Sequence, residues 1–204
     1  MFKLRSLVLA GVIALGTGSS HAVLIVDTGP GPSGPGGYSL RNIDGNYQHL
    51  AASFDVASDT VIDRIAGWIG SSDGIGSVEI QLFAGAAPGG TPLYTTSVAG
   101  LASAGAWSGQ SGLGWSIAAG SYSVAFVAGD GFNGWMSSGV PNPLPPQAYW
   151  FTVPLYGGAY VPAGPLNIGL QVAAVPEPGT YGLMALGALA VGAAVRRRRS
   201  AAVS

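Results

Sequence analysis

The sequence predicts an all-β protein: a single β-sandwich or jelly-roll-like domain between an N-terminal signal peptide and a C-terminal transmembrane helix. Three observations carry this. Short runs alternate in polarity with a period of two, clearest in Ser77–Phe83 and Ser121–Val127. The 34 glycines and 14 prolines of the 204 residues interrupt the chain too often for long helices. The two apolar segments that do not alternate lie at the two ends, where targeting segments are found.

From the N-terminus, Lys3 and Arg5 make a basic start and Leu7–Leu15 an apolar stretch. Ser20-His21-Ala22 is a small-x-small site, so the signal peptide is 1–22 with cleavage after Ala22. An uncleaved N-terminal anchor is the alternative. Asp27–Gly37 is a Gly/Pro-rich leader, expected to be flexible. Strands follow at Gln48–Val56 and at Val61–Ile69, the latter rich in β-branched residues. In Ser77–Phe83, Val78, Ile80 and Leu82 take one face and Glu79 and Gln81 the other. Ala87-Pro88-Gly89-Gly90 is a turn, and Pro92–Val98 the strand after it. In Ser121–Val127, Tyr122, Val124 and Phe126 share a face; Ala148–Val153 and Leu166–Val172 complete the set. Short strands with Gly/Pro turns between them indicate a sandwich or jelly roll over residues 23–174.

The last thirty residues form three parts. Residues 175–180, Val175-Pro176-Glu177-Pro178-Gly179-Thr180, hold two prolines that remove backbone donors and disfavour helix in the residues before them, so this stretch is expected to be extended and exposed. Residues 181–195 carry no charge and as a helix would reach about 22 Å, short of a hydrocarbon core of about 30 Å. The tail 196–204 opens with Arg196, Arg197, Arg198 and Arg199, which hold the C-terminus in the cytoplasm and place the rest across the membrane.

This order of motif, short membrane segment and arginine block resembles the PEP-CTERM sorting signal of Gram-negative bacteria. The resemblance covers Val175–Arg199, with Val175, Pro176, Glu177 and Pro178 as the sorting motif. It implies recognition by exosortase, a membrane protease-transpeptidase, and removal of the tail near Pro176–Pro178. It also implies an inner-membrane intermediate and then transfer to the cell surface or extracellular matrix. The partners implied are exosortase, signal peptidase and the export machinery. Leu50–Val56, the strand with Trp68, the Pro88-Gly89 hairpin and Gly114-Trp115 with Ala119–Tyr122 also look like ectodomains found ahead of such signals. That looser likeness implies a fold and no activity.

Charge and cysteine content narrow the function classes. The net charge of −1 conceals an asymmetry: between Val23 and Ala174, seven Asp and one Glu stand against two Arg, which gives −6, with no Lys. Phosphate binding needs a basic footprint, so nucleic acid is not an expected partner. With no cysteine, disulfides, thiol catalysis and Cys-based metal sites are unavailable. About 150 residues must then hold together by their core alone.

Candidate chemistry is sparse. His49 is the one histidine after Ala22 and lies in a segment read as strand, so any Ser-His-Asp triad would have to use it. Glu79 is the one glutamate of the domain, on the polar face of an alternating strand. Asp55, Asp59 and Asp63 read as turn and solubility residues. No catalytic residue is therefore assigned and the protein is read as not an enzyme. No cofactor is implied; Ca2+ is the one ion the Asp44-Gly45, Asp73-Gly74 and Asp130-Gly131 loops could take, without an EF-hand or Asp-repeat pattern. Trp107, Trp115, Trp135, Tyr149 and Trp150 cluster in the second half, and Trp135, in the long loop Gly129–Pro146, is the candidate ligand platform. Trp68 and Trp150 read as core. The expected role is that of an exported structural or adhesive protein of exopolysaccharide or biofilm. The alternatives are a carbohydrate-binding module and, behind it, a polysaccharide-active hydrolase.

Overall fold

A computed structural model describes residues 22–30, 37–136, 148–164 and 167–175, together with Gly187 and Leu189. The described chain forms β1 (Val23–Asp27), β2 (Tyr38–Ile43), β3 (Asn46–Val56), β4 (Thr60–Ser71), β5 (Ser77–Ala84), β6 (Tyr94–Ala99), β7 (Ala106–Ile117), β8 (Gly120–Ala128), β9 (Asn133–Met136), β10 (Ala148–Thr152), β11 (Val161–Pro162) and β12 (Leu170–Val175). Each pairing is antiparallel, and the order is β1-β12-β4-β9-β2-β3-β8-β5-β6, with β7 beside β4, β10 beside β3 and β11 beside β10.

The all-β expectation holds, while that of a sandwich or jelly roll is corrected in its connectivity. Hydrogen bonding runs through one continuous sheet, not two separate ones. The reason lies in β3, whose 11 residues pair with β2 at Gln48 and earlier and with β8 from Leu50 onward, so one strand serves both halves. The sheet then doubles over its own apolar face. A methyl added to Gly67 of β4 would lie 2.6 Å from Met136 Cε and 2.8 Å from Phe126 Cε1, so β4 and β8 face each other across the core. At the open rim Tyr94 of β6 stacks on Trp115 of β7 at 5.1 Å and donates from its hydroxyl to Ser116 O at 2.9 Å. The period-two residues supply the enclosed face: Val78, Ile80, Leu82, Val124 and Phe126 join Leu50, Ile62, Ile65 and Ile69, all fully buried. A smaller apolar cluster, Ala51, Phe83 and Ala125, lies on the reverse side, with Trp150 packed against it.

Strands such as β1 arise where none was expected, and others have shifted bounds. Val23–Asp27 is a paired strand, and Thr28 beside it is fully buried, donating to Ile168 O at 3.1 Å and accepting from Leu170 N at 2.8 Å. The start of the Asp27–Gly37 leader is thus fixed in the sheet; residues 31–36 lie outside the described set. The strand expected at Leu166–Val172 runs instead over Leu170–Val175, and that at Pro92–Val98 over Tyr94–Ala99. The transmembrane segment 181–195 and signal peptide 1–21 also lie outside the described residues, save for Gly187 and Leu189, which are helical. Among the described residues no helix is long and apolar enough to cross a membrane.

Candidate functional site

The described residues that adjoin the two expected processing points, Val23 and Ala174–Val175, meet at one end of the sheet. In β12 the inward residues Leu170, Val172 and Ala174 are 3% exposed or less, and the strand lies between β1 and β4. On one side Val23 pairs with Ala174 and Leu24 with Ala173; on the other Val175 pairs with Val61. Directly opposed residues of an antiparallel pair have Cα atoms about 4.5–5.5 Å apart. The residue after the expected signal cleavage at Ala22 therefore lies one strand spacing from the last residues before Pro176. Thr60 Oγ1 donates to Val175 O at 3.4 Å and holds that last carbonyl. Proline has no N–H to donate, so a donor is lost from the ladder at Pro176.

The turns around this junction share its end of the sheet. Val56 pairs with Gly120, and Thr60 with Ile117, which brings the β3–β4 turn, residues 57–59, beside the β7–β8 turn, residues 118–119. Asp59 Oδ1 accepts from Ala119 N at 2.9 Å and ties the two turns together, and Asp55 Oδ1 accepts from Ser121 Oγ at 2.7 Å across the β3–β8 pair. A shallow, mainly apolar cleft of about 330 Å³ opens here, lined by Leu24, Ile25, Val56 and Thr60 with Asp55 at its rim. Val23 beside it is 55% exposed.

The remaining candidates fall elsewhere. Val175, expected in an exposed extended stretch, is the half-buried last residue of β12. Pro176, Glu177, Pro178 and Arg196–Arg199 lie outside the described residues. Trp135, expected as an exposed platform, is only 5% exposed. Its indole lies flat over Gly70, where an added methyl would come within 2.1 Å of Cζ2; its Nε1 is buried with no partner among the described residues. Trp115 is buried in the core, while Tyr149 and Trp150 are half-buried on β10. Burial pushes the Tyr149 phenol up to about 12, and its hydroxyl donates to Asn167 Oδ1 at 3.0 Å. Trp68 and Trp107, cross-strand partners, meet edge to face at 5.5 Å and are half-buried on the outer face of the sheet.

His49 is engaged structurally. Its Nδ1 accepts from Ala128 N at 3.1 Å, its ring stacks on Tyr47 at 4.9 Å, and burial pulls its pKa down to about 4. Glu79 accepts from Gln81 Nε2 on the polar face of β5. The Asp44, Asp73 and Asp130 turns all sit at the end of the sheet opposite the junction. Asp130 accepts from Asn42 Nδ2 at 2.8 Å, and Asp73 from Ile75 N at 3.0 Å. Among the described residues no three His, Cys, Asp or Glu side chains come together as a metal site.

The junction itself escaped sequence reasoning because it is made by pairing residues about 150 positions apart. The available signal was Val23-Leu24-Ile25-Val26, an apolar, largely β-branched run directly after the cleavage site.

No curated protein matches the chain. Residues 174–199 match the model of the PEP-CTERM protein-sorting motif, so the match begins inside β12, at the residue paired with Val23. The chain thus carries a C-terminal PEP-CTERM sorting signal, which implies export and sorting toward the cell surface with exosortase as the processing partner.

Proposed function

We propose that this protein is a non-enzymatic, surface- or matrix-associated structural or adhesive component, displayed as a folded-over β-sandwich-like ectodomain after exosortase removes its tail. The observation that carries this reading is the pairing of Val23 with Ala174. The described residues next to the two targeting segments, Val23 and Val175, share one end of the sheet, and the Asp44, Asp73 and Asp130 turns stand at the other. A cysteine-free, acidic domain without lysine suits a solvated exterior. The engagement of His49 with Ala128 N–H and of Glu79 with Gln81 favours a structural use of the two residues a hydrolase would most need. The test is to follow the protein in host strains with and without exosortase, with intact-mass analysis of the released form. Surface or matrix material ending near Pro178, lost without the enzyme, is the expected result; a released form that retains Arg196–Arg199 would sink the sorting step.

A second reading, a carbohydrate-binding module, moves from Trp135 to the Trp68–Trp107 pair, whose indoles are half-buried on the outer face and meet edge to face. An aromatic face suits sugar stacking at little cost in side-chain entropy. Exopolysaccharide pull-down that disappears in Trp107→Ala would support it, and unchanged retention would remove it.

A further inference from the structure

We propose that the end of the sheet where β1 begins and β12 stops is the docking face for the sorting protease, and that the protease takes the motif from Pro176 onward with β12 still zipped into the sheet. The proposal rests on the reading of exosortase processing above. Its first support is reach. Five residues, 176–180, separate Val175 from the apolar run 181–195, and an extended chain of five spans at most about 18 Å. An enzyme held in the membrane that acts within those five residues must meet the end of the sheet.

The second support is that β12 is an interior strand. Peeling it back to open subsites before Pro176 would break its ladders to both β1 and β4 and expose Leu170 and Val172, each fully buried. Reading from Pro176 onward needs no such opening. The third support is the shape and charge of the face. Its turns, Ala57-Ser58-Asp59, Ala118-Ala119 and Gly85–Gly90, carry short side chains, and neither Lys nor Arg occurs among them. The apolar cleft between β1 and the β3–β4 turn can take a protruding apolar side chain, with Asp55 and Asp59 beside it for a basic rim. An anionic lipid surface finds no cation in these turns, so the chemistry favours a protein partner.

The absence of cysteine makes the test clean. Leu24 and Ala173 are directly paired, within disulfide reach, so the full-length double variant L24C/A173C locks β12 to β1 in the oxidising compartment. In the host, its processed fraction is expected to stay within about two-fold of the single variants L24C and A173C. Accumulation of the oxidised double variant as uncleaved precursor would overturn recognition of a zipped strand. Ser58→Trp and Ala119→Trp, both on exposed turns, are expected to cut processing by about ten-fold or more, while Ile75→Trp at the opposite end leaves it unchanged. Wild-type processing in both turn variants would overturn the docking face. Equal processing of the wild type with and without exosortase would instead remove the underlying reading, and this proposal with it.

Discussion

Single residues in this protein are constrained mostly by what a neighbouring strand leaves room for. Gly109 of β7 is the tightest case. An added methyl would lie 2.0 Å from Ile65 O and 2.5 Å from Ala66 Cα, and backbone on β4 has nowhere to go. Gly109→Ala should therefore cost stability at the upper end of about 1–3 kcal/mol, read from the urea midpoint. Gly112, in the same strand, has open space but φ of 71°, so Gly112→Ala should cost about 1 kcal/mol through backbone strain alone. His49 sets a different limit. Burial holds its pKa near 4, against 6.5 unfolded, because protonation would cost the partly buried ring and the bond its Nδ1 accepts from Ala128 N. Below pH 6.5 the unfolded chain takes up a proton that the folded one refuses. This contribution to stability is thus complete above about pH 6.5 and falls as pH drops toward 4. Allowing for the ring's partial exposure, the loss is about 1–2 kcal/mol. Thermal melts from pH 7.5 to pH 4 should show it, and His49→Gln, which has no proton to gain, should lose less over that range. Equal slopes would mean that the carboxylates alone set the acid response.

Among the elements, legibility tracked how local each strand's signal was. β5 and β8 could be read because their inward residues alternate strictly and both neighbours are strands of the same kind. β7 could not, since Gly109, Gly112 and Gly114 look like turn residues. In the folded chain Gly112 and Gly114, both with positive φ, belong to a bulge in which Gly112, Leu113 and Gly114 stand opposite Asp63 alone. β9, four residues long, holds its place through Trp135 over Gly70, a contact across 65 positions that no local pattern carries. That contact is also why Trp135 looked like a platform: the sequence shows an indole in a long loop, not the side-chain-free strand position beneath it. β12 was found but placed too early, because its pairing with Val61 carries the strand up to the motif. Its contribution should be testable with two substitutions. Leu170→Ala, at a fully buried position, should cost about 2–5 kcal/mol. Gln171→Ala, on the outer face, should change stability by about 0.5 kcal/mol or less even though it gives up the bond accepted from Arg64 Nη1. Similar losses for both would mean that β12 is not held by its inner face.

At the scale of the molecule, the address was legible and the architecture around it was not. Motif, apolar run and arginine block are contiguous, so the sequence alone carries them. The meeting of Val23 with Ala174, and the doubling of one sheet over itself, depend on non-local pairing that composition and periodicity leave open. The charge distribution nevertheless gives a measurable consequence of processing. The whole chain has a net charge of −1 and an isoelectric point of about 6.0, because six of its eight basic residues sit in the terminal segments. A form running from Val23 to Pro178 keeps seven Asp, two Glu and two Arg, a net charge of −7. With nine carboxylates against two arginines, such a form should focus about two pH units lower than the precursor. Signal-peptide removal alone takes away only Lys3 and Arg5 and leaves Arg196–Arg199, for a net charge of −3. Isoelectric focusing of material from the membrane and from the cell surface should therefore resolve an intermediate and a markedly more acidic final form. Surface material that focuses with the intermediate would show that the arginines travel with the domain, and that the C-terminal segment anchors the protein and is not discarded.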